Sequence, residues 1–276
     1  MKGEDPPSLL DPGEFARFTE EQREDLSVCW TGWYWGKIED AFACNPRFVT
    51  EFGVQALPDP THLASEASDI GELGRVGFQP DVFLKATGVL PGRLDELSRS
   101  SQEYQARSHE YLIEELRLKK YNNCNGLLAF HLVSTYPSAD WSVVDHRRKP
   151  KTAYWVIREK LQPVLPVANL EPIRENEVVL SAHVINDLRC KLECESLTLS
   201  LVDKSGCKLQ QGELENFLVG ADAVARVGTL TFSLVAASQT ARIRLRLRIR
   251  ARGTFENTQR WRVVEQLQKA PGVTRG

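Results

Sequence analysis

The residues of this chain whose types and spacing invite chemistry are a carboxylate and a set of aromatic rings. The run Arg47-Phe48-Val49-Thr50-Glu51-Phe52-Gly53-Val54-Gln55-Ala56-Leu57-Pro58 reads as a short apolar strand that ends on Glu51 and then breaks. Phe48, Val49, Phe52 and Val54 favour a pleated, half-buried backbone. Gly53 permits a bend or a close approach by another group, and Pro58 closes the run. An acid at the end of such a strand is costly to bury unless it has partners or a task; otherwise it faces solvent, as most surface charges do. Ahead of it, Trp30-Thr31-Gly32-Trp33-Tyr34-Trp35-Gly36 crowds three Trp and a Tyr into a short span. Such a cluster can fill a core. The glycines beside the tryptophans also describe a loop, where ring faces are free to stack on sugar rings.

Segments of several kinds surround these groups. Residues 1–27 are polar, with a short helix expected from about Pro12 to Glu24, where Phe15, Phe18 and Leu26 form one apolar edge. Asp59 to Leu90 is loop-rich, punctuated by Pro60, Gly71, Gly74, Gly77, Pro80, Gly88 and then Pro91, and so long a connection is often the wall of a pocket. Leu94 to Tyr121 reads as a helix, because Tyr104, Ser108, Tyr111, Leu112 and Leu116 recur at helical spacing and Glu115 supports Lys119 one turn on. Leu127-Leu128-Ala129-Phe130-His131-Leu132-Val133 is a nearly continuous apolar run, expected of a strand covered on both faces. Strand, helix, strand in this order predicts two parallel strands.

Composition bounds the rest. The 276 residues are 42% apolar and 26% charged with a net charge of −2, an ordinary globular balance with no global drive toward nucleic acid or acidic membranes. No apolar run approaches the roughly 18 residues that span a bilayer. The start lacks the apolar core of a signal peptide, so a cytoplasmic protein is expected. Six cysteines are scattered without a CxxC pair. Cys190 and Cys194, if on one strand, stand about 13 Å apart, too far to bridge. Free thiols are expected, and neither a metal site nor a cofactor.

Several motifs together resemble glycoside hydrolase family 2. The Glu51 run looks like that family's nucleophile strand, its Gln55 to Pro58 tail most like the β-mannosidase branch, and Gly32-Trp33-Tyr34 like the segment ahead of it. Tyr136-Pro137, Asp140-Trp141-Ser142 and Asp145 resemble the loop after the family's last barrel strand; Lys149 to Tyr154 and Gln162-Pro163 resemble the helix that follows. The resemblance covers about residues 28–166. It implies the last strands and helices of an eight-stranded β/α (TIM) barrel, with the site at the C-terminal strand ends. It further implies Glu51 as nucleophile, Trp33, Tyr34, Phe130 and Trp141 shaping a pocket for a β-linked, mannoside-like saccharide, and no cofactor. Departures are the absence of a His before Gly32, Phe130 where relatives carry Trp, and Val133-Ser134 where they carry Asn-Asp. Retaining hydrolysis takes two carboxyl groups about 5–5.5 Å apart, and no Asn-Glu pair in a strand setting precedes Glu51 to act as the acid/base. A whole barrel takes about 250 residues. The chain is therefore expected to resemble a C-terminal fragment, inactive alone, with a complementary chain supplying the rest of the barrel; the alternative is a non-catalytic carbohydrate-binding or assembly protein derived from such an enzyme.

Beyond Leu170 the pattern changes to short alternating strands. Val178 to Ile185, Leu197 to Leu201 and Thr229 to Val235 predict an immunoglobulin-like β-sandwich over 167–276, making the fold class α/β followed by all-β. Within it, Arg242, Arg244, Arg246, Arg248, Arg250 and Arg252 alternate with aliphatics, placing the guanidinium groups on one face. That face is either a solvated one, offset by acids such as Glu193, Glu195 and Glu213, or a strip for polyanions; without interleaved aromatics it argues against nucleic acid.

Overall fold

A computed structural model describes residues 28–43, 45–63, 67–172 and 177–268. The expected helix between Pro12 and Glu24, and Cys44, lie outside these. The chain divides into two compact units, Met1–Arg158 and Glu159–Gly276.

The first unit is built on a parallel sheet of order β1-β2-β3, with β1 at Val28–Cys29, β2 at Val49–Phe52 and β3 at Leu127–Ala129. The predicted strand, helix, strand order is observed, and β2 and β3 pair in parallel. Between them come helix α1 (Pro80–Thr87) and the long helix α2 (Leu94–Leu118). Leu112, Ile113 and Leu116 of α2 pack on Cys29, Val49 and Phe52 to form this unit's sheet core. Three expectations are corrected. The stretch from Asp59 to Leu90 is not merely loop: Pro80 opens α1, where its missing N–H costs nothing, and Gly88 ends it at φ 76°. Helix α2 stops at Leu118, ahead of a turn with Tyr121 at φ 61° and Asn123 at φ 95°. The apolar run after it is strand only to Ala129, and it is not covered on both faces, since Leu128 is 56% and Leu132 65% exposed. Helix α3 (Thr152–Lys160) follows Pro150 as expected.

The second unit holds two antiparallel sheets, β10-β9-β6-β7 and β4-β5-β8. Their strands are β4 (Val164–Leu170), β5 (Glu177–Asn186), β6 (Leu192–Val202), β7 (Lys208–Val219), β8 (Ala223–Ser233), β9 (Arg242–Ile249) and β10 (Gly253–Gln259). The domain division drawn from sequence, between 166 and 167, falls inside β4. Val178, Leu180 and Val184 of one sheet and Leu197, Leu199, Leu245 and Leu247 of the other share one buried core. The alternation expected to reach Val235 stops at Ser233, whose hydroxyl accepts from Ala236 N–H and starts helix α4 (Leu234–Gln239). A last helix, α5, spans Arg262–Gln268.

The arginine alternation is strand β9, with Ile243, Leu245, Leu247 and Ile249 buried on its inner face. Acids on neighbouring strands offset the outer face: Glu256 lies 2.8 Å from Arg246, Glu195 2.9 Å from Arg248 and Glu193 3.6 Å from Arg250. Glu213 instead accepts the Thr198 hydroxyl. Among the described residues the five cysteines are free thiols. No described helix is long and apolar enough to cross a membrane.

Candidate functional site

Parallel strands end on the same edge of a sheet, so the residues just beyond β1, β2 and β3 are gathered at one place. Trp30 comes directly after β1. Gly53 comes directly after β2, and Phe130 after β3, its N–H donating to Phe52 O at 2.9 Å. The peptide joining Phe130 to His131 is cis. Trp141 arrives from the loop beyond. The ring centroids of Trp30, Phe130 and Trp141 are each 5.9 Å from the other two, and Tyr34 lies 6.0 Å from Trp30 and 6.4 Å from Trp141. Edge-on and tilted packing of this kind suits the ring quadrupoles and leaves faces available. Gly53 makes the convergence possible. Its φ is 148°, and a Cβ there would come within 2.9 Å of Phe130 O.

Glu51 stands at this edge, paired with Val28 of β1. The Phe52 ring turns toward α2, 5.4 Å from the His109 ring, so the preceding side chain leaves the strand on the opposite side. Glu51 is half-buried, and its carboxylate makes no hydrogen bond or ion pair among the described residues. It is neither buried without compensation nor tied up in structure.

Two amide side chains hold the aromatic loop to the tail of β2. Gln55 donates from Nε2 to Gly77 O at 3.0 Å and accepts from Gln79 N–H at 3.1 Å. The Gln79 Oε1 then accepts from both Trp33 Nε1–H and Tyr34 O–H, each at 3.0 Å. Of the residues singled out in the sequence, Tyr34, Phe130 and Trp141 are thus brought together at the strand ends near Glu51. Trp33 is not among those rings; it is buried and lines a cavity of about 190 Å³ with Tyr34, Tyr104, Lys85 and Arg107. Trp30, not singled out individually, touches the other three rings, as Trp141 does.

The loop bearing Trp141 is tied by an acid. Asp140 accepts from the hydroxyls of Ser134 (2.8 Å), Ser138 (2.8 Å) and Ser142 (2.5 Å), and the buried Lys151 ammonium lies 3.5 Å away. Burial alone would raise the Asp140 pKa; the Lys151 charge and the three hydroxyls outweigh it and hold the carboxyl below its usual range. Burial pushes Lys151 down to about 8 against the pull of Asp140. Ser134, one of the family departures, is therefore a buried member of this knot. Behind Trp141, the Gln105 Nε2 of α2 reaches Val54 O (3.0 Å), Trp141 O (3.1 Å) and Ser142 O (3.2 Å). One turn on, His109 Nδ1 lies 2.7 Å from Gln105 O, and complete burial lowers its pKa to about 4. Among the described residues no group of three or more His, Cys, Asp or Glu could hold a metal ion.

No family model matches the chain. Beta-mannosidase B of Thermothelomyces thermophilus is 23% identical over 193 residues, covering 62% of this chain and 22% of that protein. Among solved structures, a β-D-mannosidase from Dictyoglomus thermophilum matches with a TM-score of 0.61 and 19% identity, covering 85% of this chain and 29% of that one. The exo-chitosanase CsxA of Amycolatopsis orientalis matches with a TM-score of 0.52 and 16% identity, covering 76% and 26%. The chain thus spans about a fifth of the curated relative and under a third of either solved structure. In sequence to one relative and in fold to others, this chain is similar to part of the β-mannosidase-like enzymes of glycoside hydrolase family 2.

Proposed function

We propose that this chain is the nucleophile-bearing part of a retaining, β-mannosidase-like glycoside hydrolase. Glu51 attacks the anomeric carbon of a β-linked saccharide and forms the glycosyl-enzyme. Trp30, Tyr34, Phe130 and Trp141 form the walls against which the sugar ring packs, with Trp33 supporting Tyr34 through Gln79. The observation that carries this reading is a half-buried carboxylate with no partner among the described residues, at the C-terminal edge of a parallel sheet paved with aromatic rings. The sheet itself is read as the end of a β/α barrel, and the second unit as an immunoglobulin-like sandwich. The proton donor comes from a complementary chain or segment that completes the barrel. Support for such a partner lies in the sheet: among the described residues β1 and β3 each have one paired neighbour, and Leu128 and Leu132 are exposed beside them.

Without a proton donor, turnover of glycosides with poor leaving groups is lost, but a leaving group that needs no proton can still depart. The test is therefore a 2,4-dinitrophenyl 2-deoxy-2-fluoro-β-mannoside. It should leave one fluoro-sugar on the Glu51 peptide of the chain by mass spectrometry, and none on Glu51→Gln. A label on another carboxylate, or none on the chain supplied with its complement, overturns the nucleophile assignment. The second reading is a non-catalytic carbohydrate-binding or assembly protein, favoured by the lack of any described carboxylate paired with Glu51. Saccharide affinity that survives Glu51→Ala, in a protein that never accepts the label, selects it.

A further inference from the structure

Gln105 Oε1, Ser108 Oγ, His109 Nε2 and Trp141 Nε1 are buried with no hydrogen-bond partner among the described residues. Orphaned buried polar atoms are rare in folded proteins, because each loses its bonds to water and gains none in return. Two of these, His109 Nε2 and Trp141 Nε1, belong to rings that border one spot, and Gln105 is hydrogen-bonded to both residues. The side of Gly53 that would carry a Cβ looks onto His109 Cε1 and Trp141 Cδ1, both 3.8 Å from that position. Those carbons are the ring atoms bonded to His109 Nε2 and Trp141 Nε1. Gln105 lies one helical turn before His109 and reaches the Trp141 backbone carbonyl at 3.1 Å.

The three atoms have complementary needs. Gln105 O can only accept, so the 2.7 Å contact fixes the proton on His109 Nδ1 and leaves a lone pair on Nε2. Trp141 Nε1–H can only donate, and Gln105 Oε1 can only accept. A group that meets all three accepts one hydrogen bond and donates two. A single water molecule does this, with the 2–4 polar partners that buried waters have.

We propose that an ordered water is bound beneath Gly53, accepting from Trp141 Nε1–H and donating to His109 Nε2 and Gln105 Oε1. It fixes the indole of Trp141 from behind, and His109 is a positioning residue acting through it. Gly53 is required for room as well as for backbone shape. The site stands whether or not Glu51 is a nucleophile, because it needs only the packing of α2, Gly53 and the Trp141 loop.

The test is NMR on the full chain labelled with ¹⁵N-His and ¹⁵N-Trp. The Trp141 indole proton should show a cross-peak to long-lived bound water, and His109 should show a protonated Nδ1 with an acceptor Nε2. The Trp141 cross-peak should persist in His109→Gln, which keeps an acceptor, and vanish in His109→Leu. The wild-type spectrum decides the matter even where the leucine variant fails to fold: an indole proton without bound water, or a His109 protonated on Nε2, overturns the site. A cross-peak unchanged in folded His109→Leu overturns the role of His109.

Discussion

Strand β9 and the ends of the parallel strands solve the burial problem differently. In the antiparallel unit the sorting of β9 is complete: every aliphatic of Ile243, Leu245, Leu247 and Ile249 is inside, and Arg246 and Arg248 outside have carboxylate partners. At the ends of β1, β2 and β3 the sorting is incomplete on both counts. Leu128 and Leu132 stand in solvent, while polar atoms of Gln105, His109 and Trp141 are buried without a partner among the described residues. The antiparallel unit has exceptions of its own, Leu218 and Val235 in solvent and His183 Nδ1 and Ser196 Oγ buried without a described partner, so the contrast lies between β9 and the parallel strand ends and not between whole units.

The largest effect expected is the contrast between two leucines. Leu247→Ala should cost about 3 kcal/mol, because it opens a cavity in a closed core. Leu128→Ala in the isolated chain should stay within about 0.5 kcal/mol. Urea unfolding of each unit's transition measures both, and an equal cost would erase the distinction between β9 and the parallel strand ends. Next is the acid sensitivity of the parallel unit. Burial lowers the His109 pKa to about 4 from 6.5, so the unfolded chain takes up the proton first as pH falls. Its contribution is therefore fully present above about pH 6.5 and is lost on the way down to about 4, on the order of 3 kcal/mol in all. Burial also lowers His183 in the other unit, with the same sign. The measurement is thus the difference between wild type and His109→Gln at pH 7 and pH 4.5, which should shift by roughly that amount; a constant difference would contradict it. Smallest is the arginine face. A double-mutant cycle on Arg248 and Glu195 should give below about 1 kcal/mol, fading with salt. A larger, salt-resistant coupling would mean that this face is not simply solvated.

What the sequence disclosed depended on how far each signal reached. Period two in Arg242 to Ile249 is local, and it revealed the strand and both its faces. The apolar run ending at Glu51, followed by Gly53, marked the strand end because glycine and the run's end are adjacent. The order β2, α2, β3 was legible from the switch between periodicities. Long-range choices were not. Glu256 sits against Arg246 because of the β9–β10 register, which composition does not reveal. Nothing in Trp30 to Trp35 tells which ring turns to Phe130 and which to Gln79. Pro80 looked like a break because proline ends helices as well as opening them. Leu127 to Val133 looked like a buried strand because hydrophobicity records what a residue prefers, not what covers it.

Gly53 also serves as a marker for tracing descent. Two independent barriers exclude a side chain there, a φ of 148° and a carbonyl oxygen 2.9 Å from the first carbon. A cousin of this chain with any other amino acid at that position must have moved the end of its third strand, carrying the Phe130 ring away. A single codon would then tell, before any assay, whether a lineage still keeps the aromatic enclosure or has let it go.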